Sequence, residues 1–512
     1  MSSSHFDSPV LIVGAGPVGL SLALGLARRG VHSVLVEKHS STSEYSKAPG
    51  IHARTLEIFS QWGIAERVLE EALFLRSLTA YSARTGEPVL TMPVEELNDE
   101  CRFAGLCILE QGQTERLLLE EVRATGLCDV RFGQVLLDLQ QDDTGVLATI
   151  RSGDREYAHR ARYLVGCDGA DSTVRHRLGL SLEGITYPLE AILADVRFGD
   201  GRADLPFPRL AADEERVAFG LKLESGNWRI VSGVPANPDR VEAGSPVPRE
   251  LVDRLVRLIW GPGDYECVWS SHFRLHCRCA PRFRRGRVLL AGDAAHLNSP
   301  VGAQGMNAGI HDVHNLAWKL AAILAGGDEE RLLESYHQER HDLVTREVNS
   351  FTDRATRAVF APRLLRLLAL GLARTAAGVR PLRRPLMRRL TMLAGSYRQS
   401  PLFPARGGPA GERVPDVELQ GLRGSSRLHP LLGLGPALLF LDHPPVEVDP
   451  AFGIPTIPIG RDGWIDPSGL LAYRFGECQV LVVRPDHFLG WAGRPESRAE
   501  LEQAITAALG RR

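Results

Sequence analysis

The chain has no long uncharged apolar run, no cysteine pair at redox or metal spacing, and almost no net charge. Each absence closes a class of function. No apolar stretch approaches the ~20 residues that span a bilayer. Sixty Lys and Arg stand against 62 Asp and Glu, a formal charge of −2, so no long-range field draws in nucleic acid or an anionic membrane. The cysteines Cys101, Cys107, Cys128, Cys167, Cys267, Cys277, Cys279 and Cys478 contain no CxxC and no regular framework, which reads as reduced thiols. Cys277 and Cys279 sit beside His276 without a second ligand pair, so no metal site is expected. Met1 to Ser8 is mostly polar and lacks the basic start and apolar core of an export signal, so a cytoplasmic location is expected. No internal repeat or low-complexity tract appears.

What is present suits a multidomain globular protein with small-molecule partners. With 44% hydrophobic residues in 512, the chain can bury sizeable cores in about three domains. Val10 to Val13 reads as a buried parallel strand, Val18 to Arg29 as a helix closed by Gly30, and Ser33 to Val36 as a second strand. The turn between the first two is Gly14-Ala15-Gly16-Pro17-Val18-Gly19. Gly14 permits the tight turn, Gly16 lets a pyrophosphate approach the backbone, and Gly19 lets the helix pack close to the sheet. The helix N-terminus offers free N–H groups and a positive dipole to phosphates. Glu37, ending the second strand, can accept from ribose hydroxyls, and an acid there argues against a 2′-phosphate in this site.

Two more segments add to the turn. Cys167-Asp168-Gly169-Ala170-Asp171-Ser172, with Arg175, follows a strand over Tyr163 to Val165. By itself it reads as an Asp-Gly turn with Ser172 capping a helix. Gly292-Asp293-Ala294-Ala295-His296 ends the strand Val288 to Ala291, and Pro300 then leads through Gly302 to Gly305-Met306-Asn307, which opens a helix reaching about Ala325. The N–H groups at that helix start suit a developing negative charge. From Gly184 to Pro281, short apolar stretches alternate with turn residues and read as a separate sheet with a helix at Pro248 to Leu258.

In this order the three segments resemble the group A flavoprotein aromatic hydroxylases, the family of p-hydroxybenzoate hydroxylase, phenol hydroxylase and the polyketide hydroxylases. The resemblance implies an α/β fold with an α+β substrate domain: a Rossmann-type FAD-binding domain, an inserted β-sheet substrate domain and a C-terminal thioredoxin-like domain. On this chain it assigns 1–183 to the first part of the FAD-binding domain, with a strand excursion at 78–100 contributing to the substrate domain. It assigns 184–281 to the substrate domain and 282–398 to the second FAD-binding part with long helices. A linker at 399–412 and the thioredoxin-like domain at 413–512 complete it. The redox CxxC of thioredoxins is absent there and only Cys478 lies in it, so the domain is expected to be structural or an oligomerisation surface.

The resemblance further implies non-covalent FAD held by Gly14, Gly16, Pro17, Val18, Gly19, Glu37, Lys38, Lys47, Gln111, Val135, Asp168, Asp293, Pro300, Gly302, Gly305, Met306 and Asn307. Phe219, Trp228, His272, Phe273 and Pro300 are its candidates for contact with an aromatic substrate. No catalytic side chain is assigned, and His296 is expected to be structural. The implied reaction is hydroxylation of a phenolic or polyketide-like ring through a flavin C4a-hydroperoxide, with NADPH or NADH as reductant and O2 as co-substrate. Baeyer–Villiger-type oxygen insertion is the nearest alternative. A flavin halogenase, a reductase or an FAD-bearing protein without turnover stands further off; the Trp-x-Trp-x-Ile-Pro signature of halogenases is missing. Partners beyond the substrate are not expected, and the chain is expected to be a monomer or a homodimer. The chain departs from the family at Lys47 (usually arginine), Ser299 (usually proline) and Ala303 (often glycine). Arg54 and Glu57, which match the family's Arg-Thr-Leu-Glu helix, read by themselves as a helix-surface or structural ion pair. The Leu- and Arg-rich stretch Arg363 to Leu390 is expected to be an amphipathic helix packed on the body with its arginines in water, rather than a helix lying on a membrane.

Overall fold

The computed structural model describes residues 6–43, 48–213, 216–235, 245–397, 399–403, 409–422, 424–460 and 463–511. Lys47 and the linker residues Pro404, Gly407 and Gly408 lie outside the described residues.

The first strand, Ser8–Val13, is apolar on both faces, with Val10, Leu11 and Ile12 at most 1% exposed. A strand of that kind needs a layer on each side. It lies between two parallel neighbours, pairing Val10 with Ser33 on one side and with Tyr163 on the other. The sheet runs in the order Arg284–Arg285, Val288–Leu290, Arg155–Gly166, Ser8–Val13, Ser33–Glu37, Cys128–Phe132, and the antiparallel strands Val146–Ser152 and Gln134–Gln141 extend it from Arg155–Gly166. The helices Pro17–Ala27 and Gly305–Leu324 pack against one another beside this sheet.

A second sheet also has eight strands. Its long central strands Glu183–Arg197 and Glu266–Cys279 are antiparallel. Leu78–Ser82 and Pro88–Met92 close one edge through the pairing of Tyr81 with Arg209, so a segment distant in sequence completes the sheet. The helix Arg249–Trp260 covers one face with Leu251, Val252, Leu255, Val256 and Ile259. The other face turns toward the long helices, where a Cβ on Gly233 would stand 2.1 Å from the ring of Phe360.

The C-terminal unit is a four-stranded sheet in the order Thr456–Ile459, Ala437–Leu441, Val480–Val483, Leu489–Gly493. The helix Arg498–Leu509 buries Leu501, Ile505 and Ala508 against Leu438, Phe440, Val480 and Val482. This is the thioredoxin-like arrangement. Its seam with the rest of the chain is ionic and buried. Arg484 pairs with Glu339 at 2.7 Å and with Asp486 at 2.6 Å, and Lys319 meets Glu339 at 2.8 Å, all with side chains 0% exposed. Arg54 and Glu57, 2.8 Å apart, belong to the same seam: Arg413 meets Glu57 at 2.9 Å, and Arg54 Nη2 donates to the Asp486 carbonyl at 2.8 Å.

The Leu- and Arg-rich stretch departs from its expected packing. Its second helix, Arg380–Leu390, is seated through buried Met387 and through Arg383 and Arg384, which pair with Glu96 and Asp99. The first, Arg363–Gly378, instead carries five exposed leucines and buries only Ala377. The periodic pattern that reads as a packed face points outward here.

Candidate functional site

The three glycine-bearing segments meet at one place, and the reason is steric. Gly14 has φ +105°, and a Cβ on it would stand 2.5 Å from the Cys167 carbonyl oxygen. A Cβ on Gly19 would lie 1.9 Å from the Gly14 oxygen. Val18 fills the space above Gly292 and Gly309, where added Cβ atoms would stand 2.9 and 2.6 Å from its methyl groups. Backbone therefore touches backbone between the glycine turn and the Asp168 turn, and the Val18 side chain bridges from the glycine turn to the Asp293 turn. Gly16 and Gly305 differ: a Cβ on either would meet nothing within 4 Å among the described residues. Both begin helices that have no side-chain N-cap, so their first N–H groups have no acceptor within the helix. Such a cradle, open at the glycine and electropositive at the helix start, fits a pyrophosphate.

The polar residues around the cradle are held by backbone. Glu37 accepts from Ala15 N at 2.8 Å and from His39 N at 2.9 Å, which fixes its carboxylate beside the glycine turn. Lys38 is exposed next to it, and half-buried Val135 follows Gly133, whose N–H donates to the His39 carbonyl at 2.8 Å. Gln111 donates to Glu115 at 2.8 Å, and Glu115 also accepts from Ser43 N at 2.9 Å. Burial pushes the Glu115 carboxyl above its ordinary range. Asp168 accepts from the Ser172 hydroxyl at 2.5 Å and from Val174 N at 3.1 Å, so its carboxylate builds the turn. Arg175 makes no ion pair among the described residues; it donates to the Ala170 and Ala294 carbonyls, tying the second segment to the third.

Asp293 is exposed in the short turn Gly292–Ala294. That turn is held by Asp312, which accepts from Gly292 N at 3.0 Å, from His296 Nε2 at 2.8 Å and from Arg340 Nε at 2.8 Å. Burial opposes ionisation of both partners, but the mutual attraction of Asp312 and His296 prevails, holding the carboxyl low and the imidazole high. His296 is 0% exposed and serves the turn's geometry.

The loop into Gly305–Leu324 is fastened from two sides. Asn307 donates to the Gly50 and Ala303 carbonyls and accepts from His52 N and the Thr55 hydroxyl. Its side chain is thereby fully committed to protein, leaving only its backbone for a ligand. His52 donates through Nε2 to the Gly302 carbonyl at 2.8 Å, and burial lowers its pKa to about 4, so it is neutral. Ser299 is buried, accepting the Thr356 hydroxyl at 2.6 Å; the serine joins the loop to the helix Ser350–Val359. Ala303 adopts φ +54°, the left-handed region in which a Cβ is strained. Gly302 has φ +93°, Pro300 accepts from Ala303 N at 2.9 Å, and Met306 is half-buried.

The four aromatic and histidine candidates on the second sheet divide between its faces. Phe273 pairs with Ala191, which pairs with Gly233, and Phe219 pairs with Val231. These residues share the face toward Phe360 and the long helices. Trp228 and His272 belong to the opposite face. Trp228 is 1% exposed, its ring 5.4 Å from Trp260 and 6.2 Å from Phe207, and His272 pairs with Ile192 of the same core. Both are corrected out of the candidate site. Strand alternation sends neighbouring side chains to opposite sides, so the adjacent His272 and Phe273 could not both face one ligand. Tyr187, whose hydroxyl donates to Asp353, and Phe360 share the inner face; no spacing in the sequence marks them. A cavity of 560 Å³ reaches the loop through Gln304 and Phe351, and none of the expected contacts among the described residues lines it.

The geometry can be set beside known proteins. Residues 7–350 match the family described as FAD binding domain. The chain is 30% identical over 514 residues to the 12-dehydrotetracycline 5-monooxygenase/anhydrotetracycline 6-monooxygenase of Streptomyces rimosus subsp. rimosus, covering 98% of this chain and 97% of that one. It is 31% identical over 511 residues to the dialkyldecalin synthase of Streptomyces rugosporus, covering 98% of each. Among solved structures it resembles a ternary complex of aklavinone-11 hydroxylase with FAD and aklavinone, at a TM-score of 0.82 and 28% identity, over 99% of this chain and 100% of that one.

Proposed function

The chain belongs to the FAD-dependent monooxygenases of the FAD binding domain family, and from that premise we propose that it hydroxylates a phenolic or polycyclic polyketide-like small molecule, using NADH or NADPH and O2. The observation that carries the reading is the meeting of the three segments around two open glycine cradles, Gly16 and Gly305. In this reading Gly14, Gly16 and Gly19 bring the backbone to the FAD pyrophosphate, with Pro17 and Val18 shaping the helix start. Glu37, with Lys38 and Val135 nearby, receives the adenosine end. Asp293 and Gln111 accept or donate to the ribityl hydroxyls, and the N–H groups of Gly305 to Asn307 face the ring edge that gains negative charge. When bound, FAD supplies electron transfer from the nicotinamide and activation of O2. The protein's share is to hold the substrate on the Phe219 and Phe273 face and to keep water out.

The test is a panel of phenols, naphthoquinones and anthracyclinones, with NAD(P)H oxidation, hydrogen peroxide and product mass followed together. A ring-hydroxylated product one oxygen heavier, formed in step with NAD(P)H oxidation, is expected. An ester would favour oxygen insertion, and peroxide alone would sink the reading. The similarity to a dialkyldecalin synthase and to a solved Diels-Alderase supports a second reading, cyclisation without net oxidation. Its mark is an isomer of unchanged mass formed without NAD(P)H consumption.

A further inference from the structure

The helix Arg363–Gly378 is built inside out. Leu364, Leu365, Leu367, Leu368 and Leu372 are 71, 55, 57, 57 and 73% exposed. At the helical repeat these positions gather on one face. The opposite side faces the protein: Ala377 is buried there, and Arg366 donates to the Asp213 carbonyl at 2.8 Å. An arginine thus lies against the body while five leucines stand in water. Single exposed leucines need no explanation, but a contiguous stripe of them marks a contact surface.

The charge around this stripe identifies what it contacts. Between Asp353 and Glu412 the sequence holds twelve arginines and no acidic residue, although the whole chain is nearly neutral. Arg383, Arg384 and Arg388 are engaged by Glu96, Asp99 and Glu100. Arg363, Arg374 and Arg380 are exposed and have no acidic partner among the described residues. Arg363 and Arg374 are separated by about three helical turns, so they project from one edge of the leucine face, and Arg380 follows from its C-terminal end. A two-fold contact with a second copy would set these arginines against themselves. An anionic bilayer surface answers both features at once: its acyl boundary accepts leucines and its phosphates accept arginines.

We propose that Arg363–Gly378 is a peripheral docking surface for anionic lipid membranes. The helix lies in the headgroup layer with its leucines toward the acyl chains. No helix among the described residues is long and apolar enough to cross a membrane, so the contact is confined to one leaflet. Membrane contact through this helix does not depend on which substrate the flavin site takes.

The full-length protein, purified with its flavin, would be floated with vesicles of phosphatidylcholine alone and of phosphatidylcholine with phosphatidylglycerol. Flotation with the anionic vesicles only, weakened by salt, is expected. Arg363→Gln/Arg374→Gln/Arg380→Gln should weaken partition roughly a hundredfold, from the usual contribution of each basic residue near an anionic surface. Leu364→Ser/Leu368→Ser/Leu372→Ser should abolish it, while flavin retention and circular dichroism stay unchanged. Absence of flotation in the wild type, or undiminished flotation of the leucine variant, overturns the proposal. So does a solution dimer that the leucine variant converts to monomer, which would assign the face to self-association.

Discussion

The seam that holds the C-terminal sheet and the cradle around Gly16 are built on opposite principles. In the seam every charge is answered: Arg484 has Glu339 and Asp486, Lys319 has Glu339, and Arg413 has Glu57 and Glu100. In the cradle the backbone is left open, with glycines facing free space and helix N–H groups that have no side-chain cap. Burying charge requires complete pairing, so the seam is finished within the chain and acts in register and stability. A helix start that leaves its donors unused is finished by a ligand. The difference separates residues that hold the protein together from residues that hold something else.

The largest effect should come from the seam. Glu339→Gln leaves Arg484 and Lys319 sharing a single buried counter-charge, and should destabilise folding by about 3–5 kcal/mol in denaturant unfolding, with flavin affinity of the folded fraction unchanged. A loss below about 1 kcal/mol, the level of a surface pair, would show that the seam carries no more than ordinary surface contacts.

Acid should open the same seam. Burial works to raise the Glu57 carboxyl, yet Arg413 and Arg54 hold it at about 2, below its ordinary 4.5. A depressed folded-state pKa means stability that is fully present above pH 4.5 and lost as pH falls toward 2. Stability should therefore drop across that window by a few kcal/mol at most, read as a falling thermal midpoint, and Glu57→Gln should flatten that part of the profile. A wild-type midpoint insensitive to pH there would break the assignment.

The cradle should show the reverse pattern. A methyl at position 16 meets no atom of the described residues within 4 Å, so Gly16→Ala should leave folding within about 1 kcal/mol. It occupies the approach of the pyrophosphate, so FAD affinity should fall roughly 10- to 100-fold. Fluorescence titration of the apoprotein measures this, and unchanged affinity would remove Gly16 from the site. The smallest effect belongs to the loop between the regions. Ala303→Gly relieves a left-handed alanine and should stabilise by about 1 kcal/mol or less, read as a small rise in thermal midpoint; a fall would mean that the alanine methyl packs usefully against Gly50.

Much of the cradle is visible in the chain because its chemistry is local. The glycine turn, the acid at Glu37 and the Asp-Gly turns each depend on neighbours within a few residues, and close backbone contact permits few residue types. Arg54 and Glu57 show the opposite case. Their spacing suits a helical ion pair, but nothing nearby in sequence reveals Arg413 or the Asp486 carbonyl, which complete the seam from more than three hundred residues away.

The sequence alone determines the strands, helices, turn chemistry and order of the flavin-type segments, since these follow from short-range sterics and periodicity. It does not determine direction. Alternation gives each strand two faces without saying which one meets the long helices, so Trp228 and Phe273 read alike until the sheet is placed. Helical periodicity likewise gives Arg363–Gly378 a leucine stripe without saying whether it faces core or solvent. Only the packing of distant segments settles such choices, because burial is a property of what lies opposite a side chain rather than of the side chain itself.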